Sequence, residues 1–243
     1  DDKFFNYSMA TSKGTKMPRG DKKTLMEYEV PDFYIGTQRK VASLLGEIDE
    51  KIRTNNEINK NLEEQAQALF DDFFLHHDVL PVGWKQGSLL DIADYLNGLA
   101  MQKFRPTDNE DGIPVLKIKE LRQGMCDSSS ELCSPNINAE YIVSDGDVIF
   151  SWSGSLLVDF WCGGTCGLNQ HLFKVTSSKY DKWFYYAWTK HHLAKFIALA
   201  SAMATTMGHI KRSELANSDV LIPSDSDYEY IGSVLQPIYD LII

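Results

Sequence analysis

The first fifty residues of this 243-residue chain are echoed, without a gap, by its last fifty. A shift of 190 positions places Ala10 on Ala200, Thr15 on Thr205, Met17 on Met207 and Leu25 on Leu215. The frame continues through Val30 and Val220, Ser43 and Ser233, Leu45 and Leu235, and Ile52 and Ile242. Similar residues fill it further, as with Lys22 and Arg212, Val41 and Ile231, or Glu50 and Asp240. The period is far too long for a solenoid unit and is instead the length of a domain plus a helix. The chain therefore reads as a window on a two-copy architecture, with one full copy and the end of another.

Residues 37–74 make the clearest element. Heptads counted from Val41 place Val41, Ile48, Asn55, Leu62 and Leu69 at a, and Leu45, Ile52, Asn59, Ala66 and Phe73 at d. That is a coiled-coil seam with apolar ends and a polar middle, so these ten residues are expected to pair with another helix. At about 1.5 Å per residue the rod is about 57 Å long. Its midpoint lies beside Asn55, where antiparallel pairing with a like helix, or parallel pairing with a second copy, would set asparagine against asparagine and fix register; the other reading is an amphipathic helix packed on a domain with Asn at its solvent edge. Pro81 and Gly83 end the segment.

Beyond residue 80 the periodicity shortens. Leu89–Ala93, Pro114–Ile118, Asp147–Ser151, His171–Val175 and Val220–Ile222 read as strands, with turns at Asp145-Gly146 and Gly163-Gly164. Residues 180–200 read as an aromatic helix, and a further helix begins near Asp227. The expected fold is α+β: one mixed domain with a twisted, partly barrel-like sheet, plus a long coiled-coil-forming helix.

Net charge is −10, which weighs against a nucleic-acid partner until its distribution is considered. Residues 32–79 carry five basic and ten acidic groups, and 223–243 none and four, whereas 80–222 carry thirteen and fifteen. The acidity belongs mainly to the helices. Cys126, Cys133, Cys162 and Cys166 lack zinc-site spacing and read as reduced thiols, so no metal is expected. There is no membrane-length apolar run or secretion signal, and the chain opens at Asp1; a cytoplasmic location is expected.

Catalytic signatures are sparse. No dinucleotide or P-loop glycine pattern, amino-methyltransferase tetrapeptide or nucleophile elbow is present. Ser153-Gly154-Ser155 reads mainly as a turn, and His191-His192 as helix histidines. Asp111 with Lys117 and Lys119 lacks the glutamate that a nuclease core needs. No cofactor is expected. Three clusters suit recognition instead: Gln102-Lys103-Phe104-Arg105, Asn169-Gln170-His171, and Thr205 to Arg212. Side-chain amides pair with adenine, Arg and Lys with guanine, and small hydroxyls or cations with phosphate. The candidate DNA contacts are Gln102, Lys103, Arg105, Ser153, Ser155, Asn169, Gln170, His171, Thr205, Thr206, His209, Lys211 and Arg212.

These pieces resemble the specificity subunit of type I restriction–modification systems. The resemblance rests on Asn56–Phe74, the LPVGW junction at Leu80–Trp84, Gly112–Leu121, Ser144–Ser155, Gly164–Val175 and Thr205–Ser224, in the family's order. It implies that 1–31 is the tail of a first target-recognition domain and 32–79 the first conserved helix. Residues 80–222 would be a second recognition domain, and 223–243 the start of a second conserved helix. It further implies double-stranded DNA and methyltransferase subunits as partners, the restriction–translocase subunit indirectly, and no catalysis by the chain itself. The family's proline-rich helix entry is reduced here to Pro31-Asp32-Phe33, and much of one recognition domain and one helix is missing. A fragment, or a half-subunit that self-associates through the long helix, is the expectation. The alternative is a coiled-coil adaptor whose globular domain binds protein. An independent nuclease or methyltransferase is a third reading that no motif supports.

Overall fold

The computed structural model describes residues 2–14, 19–202 and 210–242. These fall into two compact units, residues 1–56 and 57–243. The first unit contains helix α1 (Asp2–Ala10), the short helix α2 (Lys22–Leu25), and the beginning of α3 (Ile35–Phe74). Tyr28 packs against Phe4 and Tyr7, while the Tyr7 hydroxyl donates to the Thr24 carbonyl at 3.0 Å. Asp21 caps α2 by accepting from the Lys23 amide.

The second unit begins within α3 and continues through β1 (Lys85–Ser88), α4 (Leu89–Ile92), β2 (Asp94–Asn97), β3 (Ile113–Leu116) and α5 (Ile118–Gln123). Then come β4 (Leu132–Cys133), β5 (Ile142–Val143), β6 (Val148–Ser151), β7 (Leu157–Phe160), β8 (Cys166–Leu168) and β9 (Leu172–Thr176). Helix α6 (Lys182–Ala202), helix α7 (Arg212–Ala216), β10 (Asp219–Ile222) and α8 (Asp225–Ile242) complete it. The class is α+β with a long helix, as expected. The strands form separate open sheets rather than a closed barrel: an antiparallel sheet β2-β9-β6-β7, a mixed sheet β4-β3-β8-β5, and the ribbon β1-β10. Strands β3 and β8 pair in parallel, and the remaining pairs are antiparallel.

Two expected strands change. Leu89–Ala93 holds the helix α4, because Ser88 and Asp91 form a capping box: the Ser88 amide and hydroxyl both donate to Asp91 Oδ2 at 2.7 Å. Pro114–Ile118 is strand only to Leu116, after which Lys117 leads into α5.

Helix α6 supplies the centre of the main core. Every residue from Trp183 to Thr189 is buried, which is the all-round burial of a helix enclosed by other elements. Ala66, Phe70 and Phe74 of α3 and Ile231, Leu235 and Tyr239 of α8 belong to the same cluster, each set spaced by four residues. Helices α3 and α8 run antiparallel here. The Phe73 and Tyr230 rings lie 6.0 Å apart, while Lys60, Glu63 and Gln67 line one cavity with Tyr239. Trp84 of the LPVGW junction packs tilted against Phe74 and donates from its indole to Asp227 at 2.7 Å, joining the end of α3 to the start of α8. That N–H and the Ser224 hydroxyl hold the Asp227 carboxyl below its ordinary pKa.

The pairing seam is therefore split. Val41, Leu45, Ile48 and Ile52 are about half exposed, and Asn55 is exposed too. At the other end Ala66 is buried in the domain's own core, with Leu69 and Phe73 packed at its edge and Leu62 half-buried. The buried stripe runs along Ala66, Phe70 and Phe74 rather than the expected Ala66, Leu69 and Phe73. Ala66, Phe70 and Phe74 form an i, i+4, i+8 row on one helix face, with Leu69 and Phe73 at its edge.

Candidate nucleic-acid interface

The ends of β2, β6 and β9 meet at one edge of the second unit. Leu99 bridges Asn169, and the Gln170 amide donates to the Leu99 carbonyl at 2.8 Å. The approach depends on Gly98: a Cβ there would lie 2.3 Å from the Asn169 carbonyl oxygen and 2.4 Å from that of Leu168. Both obstacles are backbone and cannot rotate aside. Gly98→Ala is expected to destabilise the fold by about 1–3 kcal/mol. It should also lower affinity for any ligand held by residues 169–171. Chemical denaturation checks the first effect and binding at a temperature where the variant is folded checks the second.

Trp152 sits between these strand ends. Its indole donates to Asn97 Oδ1 at 2.9 Å, and its ring lies 5.7 Å from that of Phe173 and 6.1 Å from that of His171. Its carbonyl accepts from the Ile210 amide at 2.9 Å, which brings Lys211 and Arg212 beside the same edge. Ser153 Oγ is 3.1 Å from His171 Nδ1, and His171 Nε2 is 3.4 Å from Gln170 Nε2.

A row of cations continues from this edge. The Asn169 amide donates to the Leu116 carbonyl, which places Lys117 next to the 169–171 segment. Lys117 and Arg105 share the carboxylate of Glu131, Arg105 at 2.7 Å, and the two cations hold the Glu131 carboxyl below its ordinary pKa. Lys119 reaches Ser129 Oγ at 2.8 Å and Asp127 at 3.5 Å. Arg122 donates to Ser155 Oγ at 3.4 Å, tying α5 to the 153–155 turn. Arg212 donates to the Tyr95 carbonyl at 3.3 Å.

The sequence candidates sort clearly on this surface. Gln102, Lys103, Arg105, Ser155, Lys211 and Arg212 are exposed, and Gln170 and His171 are half-exposed. Ser153 and Asn169 are buried, at 6% and 9% exposed. Thr205, Thr206 and His209 lie outside the described residues. Spacing along the chain missed Asn97, Trp152 and Arg122, and it associated Lys117 and Lys119 only with a nuclease core. An aromatic within the Ser-Trp-Ser-Gly-Ser turn was the available signal for Trp152. His192 is buried and His191 half-buried beside Phe70 and Trp188; burial lowers both pKa values, and His192 Nε2 lies 2.8 Å from the Asp219 carbonyl. Burial likewise raises the pKa of the Cys133 and Cys166 thiols. Among the described residues no cluster of His, Cys, Asp and Glu is arranged to hold a metal, and no helix is long and apolar enough to cross a membrane.

Residues 81–243 match the family model of the type I restriction modification DNA specificity domain, and the chain belongs to that family. It is 25% identical over 259 aligned residues to the type I restriction enzyme MjaIX specificity subunit of Methanocaldococcus jannaschii, covering 98% of this chain and 60% of the relative. It is also 25% identical over 181 residues to the EcoBI specificity subunit of Escherichia coli, covering 73% and 36% respectively. A solved type I restriction–modification S subunit from M. genitalium superposes on the whole chain with a TM-score of 0.56, 13% identity and 67% of that structure covered. The chain thus spans three-fifths or less of the length of these two curated relatives.

Proposed function

We propose that this chain recognises a specific DNA sequence as a non-catalytic specificity subunit, or a part of one, in a type I restriction–modification complex. The observation that carries this reading is the coincidence of the family match with a built surface. Within residues 81–243, an edge bearing amide, imidazole and indole side chains is continuous with a row of cations. In the proposed division of labour, residues 80–222 grip one half of a bipartite site, and 1–31 belong to a first reader. Arg105, Lys117, Lys119, Arg122, Lys211 and Arg212 would neutralise phosphates, which fix position without reading sequence. Gln102 and Gln170 carry groups able to read base edges in the major groove.

The half-exposed apolar stripe Val41, Leu45, Ile48 and Ile52 supports pairing of the long helix with a like helix. Through the conserved helices, 32–79 and 223–243, the chain would dock methyltransferase subunits and, through them, the restriction–translocase subunit. Binding of the full chain to a fluorescent duplex across a salt series tests the reading. Log affinity should fall linearly with log salt, with a slope of about −0.9 per phosphate neutralised. No affinity even at low salt would instead favour the protein-binding adaptor.

A further inference from the structure

We infer that Gln170 is the residue that reads an adenine, and that His171 and Ser153 are positioning residues that set the orientation of its amide. The inference rests on the DNA-recognition reading above and goes beyond it by naming the base and separating the reader from its supports.

Gln170 Nε2 carries only hydrogens, so the nitrogen facing it, His171 Nε2, accepts. The ring proton therefore sits on Nδ1 and is donated to Ser153 Oγ. The buried Ser153 hydroxyl, which can accept as well as donate, takes that proton, and the Nε2 lone pair left on the ring then holds the N–H end of the amide inward. The imidazole itself is confined by the Trp152 ring, and Trp152 is held by Asn97 and Phe173. The serine turn is braced as well: Ser151 Oγ donates to the Ser155 carbonyl at 2.8 Å and to the Ser153 carbonyl at 3.3 Å.

The consequence is an outward edge of fixed polarity. With one N–H directed at His171, Gln170 keeps its Oε1 and its second N–H, and among the described residues no protein group takes either. Side by side, an acceptor and a donor match the N6 amino group and N7 of adenine in the major groove. A flipped amide would offer its groups in the reverse order and lose that match. The Gln170 backbone is fixed too, by the Leu99 carbonyl and the close approach at Gly98. Holding the reader in one orientation before binding avoids the cost of ordering it on the DNA.

The test is selection of bound sequences from a randomised duplex pool, using the full chain and four variants. Wild type should select a motif containing at least one adenine. Gln170→Ala should lose preference at one adenine position by about 5- to 150-fold, the range for a two-pronged contact. His171→Ala and Ser153→Ala should relax that same position, and Ser153→Ala, at a buried residue, should preserve the rest of the motif, the salt slope and the affinity for unselected DNA. His171→Gln, which retains an acceptor near the position of Nε2, should restore much of the preference. Ser153→Ala removes one hydroxyl and preserves the fold, so the test stands if the histidine variant fails to fold. Unchanged adenine preference in Ser153→Ala, or equal relaxation at every position, overturns the inference alone. Selection of no motif by wild type overturns the DNA-recognition reading and the inference with it.

Discussion

Phe74→Ala is expected to lower the stability of the second unit by about 3–5 kcal/mol, the usual cost of emptying a large aromatic site in a core. Phe74 is 1% exposed, and its ring lies 4.9 Å from Phe70, 5.4 Å from Trp188, 5.6 Å from Trp84 and 5.9 Å from Phe184. Those partners come from α3, from the LPVGW junction and from α6, so one ring joins three parts of the chain. Such a cavity cannot close easily, because the surrounding rings are themselves packed against other aromatics. Guanidinium unfolding followed by tryptophan fluorescence measures the effect, since Trp84 and Trp188 both border the site. A loss below about 1 kcal/mol would mean that the end of α3 does not share the domain's core.

Combined replacement of Arg105, Lys119 and Arg122 by alanine is expected to reduce the salt slope of duplex binding by about 2.7, at about 0.9 per lost phosphate contact. Affinity should fall at every DNA sequence alike, because phosphates carry no sequence information. Stability should change little. Arg105 pairs with Glu131 on the surface and Lys119 with Asp127, each between partly exposed side chains. Exposed pairs of this kind contribute about 0–1 kcal/mol. The salt series therefore separates interface cations from structural ones. A slope equal to that of wild type would remove this row from the interface and move attention to Lys211 and Arg212.

Much of the fold was legible because its signals are local. The heptad pattern fixed a helix at 37–74 where the structure has Ile35–Phe74, and Asp145-Gly146 marked a turn in which Gly146 adopts a φ of 80°. Leu89–Ala93 was misread for an equally local reason: a run of apolar residues looks like a strand unless the Ser88–Asp91 capping box is given priority. The heptad also showed that the long helix has an apolar face without showing what covers it. One half packs on α6 within its own domain, and the other is half exposed.

The candidate site was harder to read. Gln170 and His171 stood out as polar residues behind a glycine-rich turn. Trp152, Asn97 and Lys117 join them through sheet contacts, and Arg122 through its bond to Ser155, across tens of residues that no spacing along the chain encodes. Ser153 shows the converse. In the sequence it is a small polar residue in a loop, whereas in the fold it is a buried hydroxyl held against an imidazole.

We propose that residues 80–222 determine which half-site is recognised. It is tested most directly by expressing the chain with the methyltransferase subunit of its own system in a host free of other modification, then mapping methylated bases across the genome. Methylation is expected at one motif that requires the chain, with a change in one half of that motif when residues 80–222 are replaced by the matching segment of a relative. An active complex whose methylated motif is the same after that replacement would contradict it.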